Sequence, residues 1–308
     1  MFNKDLFNKV LIEPTKAGAD KIYIISAFAT PGMTYKHFSE IPPVVEIQLI
    51  IGMTKKLGLP KIYHQEFVKL ARIDFPNRFN CSYIIKDPPV HAKTYSWFSG
   101  GSPILAFAGS ANYTQSAFFG KQREVLVESE APYLKEYFES LLSDAESCVS
   151  KDLNKKIKFS EEANWPYLKD DTFVGSEQES LELSLLDSEG NIHERAGLNW
   201  GQRPGREPNQ AYIPVPSPIA HMEFFPPRGI HFTIITDDGV TFDAVIAQSG
   251  NKAIETPHNN SMLGRYFRQR IGVPLGNFVT REDLERYGRT EVEFRKINDE
   301  TYYLDFSV

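Results

Sequence analysis

Continuous apolar runs mark the strands expected in the first half of the chain. Residues 21–29 (KIYIISAFA) and 44–53 (VVEIQLIIGM) are rich in β-branched and aromatic side chains, which is typical of buried strands. Residues 81–85 form a third such run, and apolar positions at helical spacing predict helices over 61–73 and 132–149. Strands that alternate with helices in this way predict an α/β domain.

The second half of the chain has a different pattern. Alternating apolar and polar positions predict a strand at 181–186 and two hairpins, at 231–246 and 291–306. Two short helices are predicted at 261–271 and 281–286. Because strands dominate this half, we expect it to form a barrel or pseudobarrel.

A polar segment separates the two patterns. Residues 151–178 are mostly charged or polar, which is typical of a connecting segment. We therefore predict an α/β domain at 1–150, a linker at 151–178 and a mostly-β domain at 179–308.

The basic residues are divided unevenly between these domains. Eleven of the 14 arginines lie after Glu179, together with only two of the 20 lysines. Arginine pairs bidentately with phosphates and guanine edges, so the second domain has a composition that suits DNA recognition. Compositional drift explains the skew equally well, and the net charge of −6 argues against non-specific binding of polyanions.

The composition also limits the cellular setting. Cys81 and Cys148 show no CxxC spacing, so we expect neither a disulfide framework nor a thiolate metal site. The N-terminal residues have no apolar signal core, and the chain has no apolar run of about 18 residues, the length that a membrane span needs. We therefore expect a cytoplasmic protein that does not contact membranes.

Candidate chemistry is concentrated between Pro89 and Glu130, a segment predicted to form three strands joined by polar turns. A histidine and a lysine lie two positions apart, with one residue between them, so on a strand both side chains point to one face. An imidazole, an ammonium, a hydroxyl, an amide and a carboxylate at neighbouring strand ends suit nucleophilic attack on an anion. In the alternative interpretation, these residues only cap turns or lie exposed on a strand. The candidate catalytic residues are His91, Lys93, Ser110, Asn112 and Glu124.

An HxK pair followed by GSxN and then an acidic residue resembles the phospholipase D superfamily. The resemblance implies that His91 attacks phosphorus and becomes a phosphohistidine, without a metal or any other cofactor. It also implies that Lys93 and Asn112, helped by Ser110, hold the phosphate oxygens. Glu124 would orient the imidazole of His91.

Two features depart from the superfamily pattern. The position five residues after Lys93 is Phe98, where the superfamily commonly has aspartate. The motif also occurs once, whereas single-chain members usually carry two copies. Because this chemistry needs one histidine as nucleophile and another as acid, a single copy implies a homodimer formed through the N-terminal domain.

The segments GLNWGQR, AYIPVP, GRYFRQRIGV and ERYGRTEVEF extend the resemblance to the second half. With the nuclease motif before them, they resemble the restriction endonucleases of the BfiI and NgoFVII type over nearly the whole chain. This resemblance implies a B-three-like pseudobarrel that grips the major groove of double-stranded DNA with two loops, here termed the first arm (residues 199–209) and the second arm (residues 249–260). The candidate DNA contacts on these arms are Asn199, Trp200, Gln202, Arg203, Arg206, Asn209, Ser249, Asn251, Lys252, Asn259 and Asn260.

Three further basic side chains and a histidine lie near the arms. Arg265, Arg268 and Arg270 are expected to contact phosphates or to serve the fold. His258 is predicted to be a turn residue, with a DNA contact as the alternative. No metal site is expected, because the histidines are scattered and lack HxxxH spacing.

Together these features predict a site-specific, restriction-type DNA endonuclease: an α/β phospholipase D-like nuclease domain followed by a mostly-β, B-three-like pseudobarrel. Some relatives work with a separate ATP-dependent translocase, and a cognate methyltransferase is a further expected partner. The main alternative is a dimeric, sequence-specific DNA-binding regulator whose nuclease-like domain is inactive. A lipid hydrolase is disfavoured by Phe98 and by the lack of an amphipathic membrane segment.

Overall fold

The structure is a computed structural model that describes residues 1–119, 122–160 and 179–308. The chain divides into two compact units, Met1–Leu168 and Lys169–Val308. Each unit has a hydrophobic core of its own, built from strands and helices that are close in sequence.

The first ten residues of the predicted linker extend the first unit. Leu153 and Ile157 are buried in its core, and Phe159–Ser160 pairs with Leu59–Pro60 as a short parallel ladder. The apolar residues that alternate with the lysines of 151–160 are therefore buried, and the short strand lies within the segment predicted as a linker. The remainder of the predicted linker, 161–178, lies outside the described residues.

The first unit alternates strands and helices, which confirms the predicted α/β arrangement. Its strands are β1 (Lys21–Ser26), β2 (Glu46–Ile51), β3 (Leu59–Pro60), β4 (Phe79–Ile84), β5 (Thr94–Ser99), β6 (Ser102–Gly109), β7 (Leu126–Ser129), β8 (Ala145–Ser147) and β9 (Phe159–Ser160). Its helices are α1 (Glu13–Lys16), α2 (Pro31–Glu40), α3 (Thr54–Leu57), α4 (Lys61–Lys69), α5 (Gln115–Phe118) and α6 (Ala131–Leu141).

Seven of these strands form one mixed sheet in the order β7-β6-β5-β1-β2-β4-β8. β1, β2 and β4 run parallel, whereas β5 and β7 run in the opposite direction and β6 runs with β1. The carboxyl ends of β1 and β6 therefore lie at the same sheet edge as the amino ends of β5 and β7. Residues that follow β1 or β6, or precede β5 or β7, meet at this edge, which we term the site edge.

Two elements differ from the sequence prediction. The helix predicted at 132–149 ends at Leu141, and Ala145–Ser147 instead forms the edge strand β8. The backbone groups of β8 form hydrogen bonds with β4. The ladder extends by one more hydrogen bond, of 2.8 Å, from Cys148 N to Cys81 O. Helix α2 was not predicted, since the Pro31-Gly32 pair that begins it is also a turn signal.

The second unit is built mainly of strands. These are β10 (Ser180–Ser184), β11 (Ile213–Pro214), β12 (His231–Thr236), β13 (Thr241–Ala247), β14 (Ala253–Glu255), β15 (Glu291–Asn298) and β16 (Thr301–Asp305). Its helices are α7 (Ser217–Ala220), α8 (Ser261–Ile271) and α9 (Arg281–Tyr287), and a 3-10 stretch covers Gly197–Gln202. The two predicted hairpins are confirmed as β12–β13 and β15–β16.

All seven strands of this unit belong to one sheet, in the order β10-β15-β16-β12-β13-β14-β11. The β12–β16 pair is parallel, and the other pairs are antiparallel. Helix α8 buries Leu263 and Phe267 in the core that the sheet encloses. Both arms border this helix, since the first precedes β11 and the second ends where α8 begins.

Candidate active site and DNA-binding surface

His91 and Lys93 lie at the site edge, on the segment directly before β5. They were predicted to lie on a strand, but the strand begins one residue later, at Thr94. The carbonyl of His91 accepts a hydrogen bond of 2.9 Å from Nζ of Lys93. In a strand, this carbonyl would instead accept a hydrogen bond from the backbone of a neighbouring strand. Both side chains nevertheless meet, as the spacing predicted.

The lysine ammonium lies against the histidine ring. Nζ of Lys93 is 3.1 Å from Nδ1 and 3.2 Å from Nε2 of His91. Lys93 is buried, whereas His91 is exposed. The pair therefore presents an imidazole to solvent above a fixed positive charge.

Ser110 and Glu124 form the second part of the site. Gly109 N donates to Lys93 O at 3.1 Å, which places the end of β6 beside the lysine. Ser110 Oγ donates to the carboxylate of Glu124 and accepts from Val125 N at 3.0 Å. Gly109 permits this approach, because a Cβ there would lie 2.1 Å from Val125 O.

The partner of Glu124 differs from the one that the resemblance implied. Its carboxylate accepts a hydrogen bond from Ser110, and the pairing with His91 that the resemblance implied is not among the hydrogen bonds of the described residues. The carboxylate still acts on the site electrostatically, since it raises the pKa of Lys93 against the effect of burial.

Asn112 is fixed by the residues that follow β1. Its Oδ1 accepts from Phe28 N at 3.3 Å and from Ser26 Oγ at 3.4 Å, and none of the hydrogen bonds among the described residues uses its Nδ2. The fully buried Ser26 accepts from Tyr113 N at 2.9 Å and donates to Phe28 O at 2.5 Å. Ser26 thereby connects the backbone of Tyr113, next to Asn112, with the backbone of Phe28, whose N–H bonds to Asn112. No sequence pattern indicated this role, because Ser26 lies far from the motif.

The electrostatics of the site favour a neutral imidazole. The pKa of His91 is lowered first by desolvation and then by the charge of Lys93. The pKa of Lys93 is also lowered, because burial disfavours the ammonium. A histidine without a proton on one ring nitrogen is a nucleophile or a base, so this arrangement suits attack on an electrophile at neutral pH.

Phe98 occupies the position at which the superfamily commonly has aspartate. It is buried on β5, and its ring lies 4.4 Å from that of Tyr23. Tyr23 in turn stacks on Phe138 of α6 at 4.3 Å. An aspartate at this position would have to be buried against aromatic rings, so the substitution serves the packing of α6 on the sheet.

A cleft of about 430 Å³ opens beside Glu124 in the same unit. Its lining includes the N-terminal residues Asn3 and Lys4 together with Phe119 and Gln122. The cleft therefore combines polar groups with an aromatic ring.

The first arm contains two buried asparagines. Asn199 Nδ2 donates to Val279 O at 2.8 Å, and its Oδ1 accepts from Val279 N at 2.9 Å. Asn209 Oδ1 accepts from Gly276 N at 2.6 Å, and its Nδ2 donates to Glu207 at 2.9 Å. These side chains hold the loop through bonds within the unit, and their predicted base contacts stay a prediction.

Two arginines are the exposed basic residues of the first arm. The guanidinium of Arg206 stacks over the indole of Trp200, 4.0 Å from the ring centroid, and covers it. Arg203 Nε donates to Arg195 O at 2.7 Å. Gln202 is half-buried and donates to the carbonyls of Pro208 and Gly276, both at 3.1 Å. The arm therefore exposes its two arginines, while its interior is internally bonded.

The second arm presents polar side chains on a tightly turned backbone. Ser249, Lys252 and Asn259 are exposed, and Asn251 is half-buried with a φ of 57°. Asn260 is half-buried, and within the described part of the chain its Oδ1 has no hydrogen-bond partner. The arm thus brings together the side chains that the sequence predicted for it.

The three arginines of α8 differ in burial and in their hydrogen-bond partners. Arg268 is fully buried and donates to Leu198 O at 3.2 Å and to Asn277 O at 2.8 Å. It therefore fixes the backbone directly before the first arm. Arg270 pairs with Asp237 at 2.8 Å, so it binds the turn of the β12–β13 hairpin. Arg265 is exposed on the arm side and lies near Glu207.

The structure also assembles a cluster that the sequence did not indicate. His231, Asp243 and His258 come from β12, β13 and the second arm, and one potential ligand atom of each lies within 4.8 Å of the others. Their separation along the chain hid them from spacing rules. No helix in the described ranges combines the length and apolar character that crossing a membrane requires.

Comparison with known proteins places both units. A family model of the NgoFVII restriction endonuclease N-terminal PLD domain matches residues 4–155, where PLD denotes phospholipase D. A second model, of the NgoFVII C-terminal B3-like DNA-binding domain, matches residues 173–298. A search of curated proteins finds no match.

Three solved structures are weakly similar to the chain. NucT from Helicobacter pylori is 14% identical, with 47% of this chain and 96% of that chain covered and a TM-score of 0.33. Polyphosphate kinase from Porphyromonas gingivalis is 11% identical, with 46% and 21% covered and a TM-score of 0.28. A hypothetical Arabidopsis thaliana protein is 13% identical, with 42% and 88% covered and a TM-score of 0.22. Scores this low carry no argument about fold or activity.

The two family matches together cover most of the chain and describe the two halves of one restriction enzyme. They confirm the predicted fold class, and they identify a restriction-type nuclease whose partner is DNA. With a phospholipase D-type nuclease domain followed by a B3-like DNA-binding domain, the chain belongs to the NgoFVII family of restriction endonucleases.

Proposed function

We propose that this protein cleaves double-stranded DNA at specific sites by metal-independent hydrolysis, through a covalent phosphohistidine at His91. The contact between Lys93 Nζ and the ring of His91 is the observation that carries the proposal. It couples an exposed nucleophile to a buried cation at the sheet edge where Ser110 and Asn112 also lie.

The reaction would proceed in two displacements. A ring nitrogen of His91 attacks phosphorus, the N–P bond forms, and the bond to the leaving oxygen breaks as a second histidine protonates that oxygen. That histidine then takes a proton from water, which attacks phosphorus and breaks the N–P bond. Lys93 and the Nδ2 group of Asn112 stabilise the charge on the phosphate oxygens in both steps.

Metal independence is supported by the chemistry of the groups present. Magnesium in nucleases is held by oxygen ligands, chiefly carboxylates. Among the described residues, no set of three ligating groups is found at the site edge, and its one carboxylate, Glu124, is bonded to Ser110. Lys93 provides the positive charge that a metal would otherwise supply.

The single histidine motif supports a homodimer. One chain supplies His91 as nucleophile but offers no second histidine of the same motif as acid. Two-fold association of the N-terminal units would place two copies of His91 side by side, each able to take either role. A single composite site would then cut the two DNA strands one after the other.

Recognition of the target would come from the arms. Arg203 and Arg206 on the first arm, and Ser249, Asn251 and Lys252 on the second, have the charge, donors and exposure to contact DNA. Asn259 and Asn260 extend the second arm toward α8. Trp200 would contribute through Arg206, which it positions.

The cellular setting follows from the activity. A nuclease of this type would act in the cytoplasm, with a cognate methyltransferase protecting the host's own sites. A separate ATP-dependent translocase is a further partner of the proposal, and co-purification from the native host tests for both.

Cleavage in excess EDTA tests the proposal. We expect the full-length protein to cut DNA at fixed positions in chelator, and we expect His91→Ala to abolish cutting while sequence-specific binding remains. Loss of cutting in EDTA that magnesium restores would contradict the mechanism. Specific binding without cleavage under any condition would instead identify a DNA-binding regulator.

A further inference from the structure

A histidine, an aspartate and a second histidine converge beside the second arm. His231 Nδ1 lies 2.9 Å and 2.8 Å from the two carboxylate oxygens of Asp243, and His258 Nε2 lies 3.8 Å from Oδ2 of the same carboxylate. His231 and Asp243 are buried, and His258 keeps 31% of its side chain exposed. The cluster is thus closed on the protein side and open toward solvent at one histidine.

The fold fixes each of these side chains independently. His231 pairs with Val245 in the β12–β13 ladder, so Asp243, two residues before Val245, lies on the same face of the hairpin. His258 stands in a turn closed by bonds from Asn259 N to Thr256 O at 3.1 Å and from Thr256 Oγ1 to Asn259 O at 2.8 Å. The turn brings the second arm over the hairpin.

The buried carboxylate of Asp243 is a candidate ligand for a cation. In the described part of the chain, the groups that pair with this buried carboxylate are the two histidines, with neither lysine nor arginine among them. A carboxylate and two imidazoles are groups that a divalent transition-metal ion takes as ligands. A divalent ion bound by all three groups compensates the charge and uses the imidazoles as ligands.

The ligand set selects the kind of ion. Two imidazoles and one carboxylate suit zinc and its neighbours among the transition metals, whereas magnesium and calcium prefer oxygen ligands. In a tetrahedral zinc site, bonds of about 2.0–2.2 Å place ligand atoms roughly 3.3 Å apart. The distances from Asp243 to the two histidines, 2.8 Å and 3.8 Å, lie on either side of this value.

We propose that His231, Asp243 and His258 bind one zinc-type divalent ion, which ties the second arm to the β12–β13 hairpin. The role of the ion is to hold the second arm on the hairpin: its three protein ligands come from β12, β13 and the arm, and water completes its coordination. By fixing His258 it orders the neighbouring Asn259 and Asn260.

Metal binding to the full-length protein tests the proposal directly. Protein stripped with EDTA and freed of chelator is titrated with Zn²⁺ by calorimetry and with Co²⁺ by visible absorption. We expect one ion per chain. His258→Ala and Asp243→Asn should each weaken binding by more than the roughly 10–100-fold that loss of an outer-shell partner causes. His221→Ala is the matched control, since His221 is an exposed histidine of the same unit whose hydrogen bond within the described residues is local, to Ser217 O.

Hydrogen exchange gives a second measurement that does not depend on activity. Zinc should slow amide exchange in residues 249–260 of the wild-type protein and of His221→Ala, but not of His258→Ala. Because His258 stands in a turn and keeps 31% of its side chain exposed, its replacement should leave the fold intact, which circular dichroism verifies. The absence of stoichiometric zinc binding, or zinc binding that His258→Ala and Asp243→Asn both retain, would overturn the proposal.

The proposed metal site and the proposed catalytic mechanism can be tested independently. Chelation should loosen the second arm and weaken DNA binding, yet it should leave hydrolysis of bound DNA unchanged. Single-turnover cleavage with enzyme at saturating concentration isolates that step. The zinc-binding measurement therefore tests the proposed metal site alone. The single-turnover rate in EDTA tests the proposed mechanism at His91.

Discussion

The ammonium of Lys93 lies within 3.2 Å of both ring nitrogens of His91. Burial lowers the pKa of this imidazole, and the nearby ammonium lowers the pKa further because it disfavours protonation. The same ammonium is in position to bind a phosphate oxygen once the imidazole attacks. One side chain thus favours the reactive form of the nucleophile and stabilises the charge that its attack creates.

Replacing Lys93 should change both properties. Because the pKa of His91 is lowered, the neutral form persists below the ordinary value of 6.5, and the acidic limb of the kcat/KM profile should lie below that pH. In Lys93→Met this limb should move to higher pH, and the rate should fall by about 100-fold or more. Lys93→Arg, which keeps the charge, should keep the low limb. An acidic limb that stays in place in Lys93→Met would show that the ammonium does not set the pKa of His91.

Ser26 should act on catalysis through Asn112. Ser26→Ala removes the bonds to Tyr113 N and Phe28 O that fix the backbone around the Asn112 contact. We expect kcat to fall by about 10-fold or more while KM changes little, because the positioning of the phosphate oxygens is lost and the DNA-binding arms are untouched.

The buried Ser96 of β5 provides the control for this variant. Ser96→Ala should leave kcat near the wild-type value. Equal effects of the two substitutions would indicate a general packing defect and would remove Ser26 from the site.

The stability of the first unit should depend on the protonation of His37. Burial lowers the pKa of this side chain to about 4, and it bonds to the hydroxyl of Tyr113 at 2.8 Å and to Leu11 O at 3.1 Å. Between pH 6.5 and about 4 the unfolded chain binds a proton that the native state does not, so the free energy of unfolding should fall as the pH falls. The full effect is about 3 kcal/mol.

Urea unfolding at a series of pH values measures this dependence. His37→Gln should show a flatter profile than the wild type in this window, even if it is less stable throughout. His221→Gln, at an exposed position, should retain the wild-type slope. Parallel profiles for His37→Gln and the wild type would exclude His37 as the cause.

The two kinds of polar residue on the first arm should respond differently to replacement. Arg203→Ala and Arg206→Ala should weaken DNA binding and reduce its salt dependence, with little change in stability, because both side chains are exposed. Asn199→Ala should destabilise the second unit by about 1–3 kcal/mol, because it leaves the backbone of Val279 without its partners. Binding isotherms at several salt concentrations and urea unfolding separate the two effects. Asn199→Ala with wild-type stability would contradict the structural role.

Local pattern predicted much of the fold. β1, β2 and the hairpins β12–β13 and β15–β16 lie where apolar runs and alternation placed them, because burial of their own side chains determines these elements. β8 was missed, since it exists only through pairing with β4, a tertiary contact that no local pattern encodes.

The site was predictable to the extent that its residues share one stretch of chain. His91, Lys93 and Ser110 lie close together because the turns between neighbouring strands bring them there. Ser26 and the cluster around Asp243 were not predictable, because their members come from distant strands and loops. Asn199 was interpreted as a DNA contact from its residue type, and only its burial reveals that it holds the arm.

The stereochemical course at phosphorus tests the central claim most directly. DNA with a phosphorothioate of known configuration at the cleavage position is cut in EDTA with water labelled in its oxygen, and the configuration of the product is determined. Two successive displacements through His91 predict retention of configuration. Inversion would mean that water attacks phosphorus directly, and it would contradict a phosphohistidine intermediate.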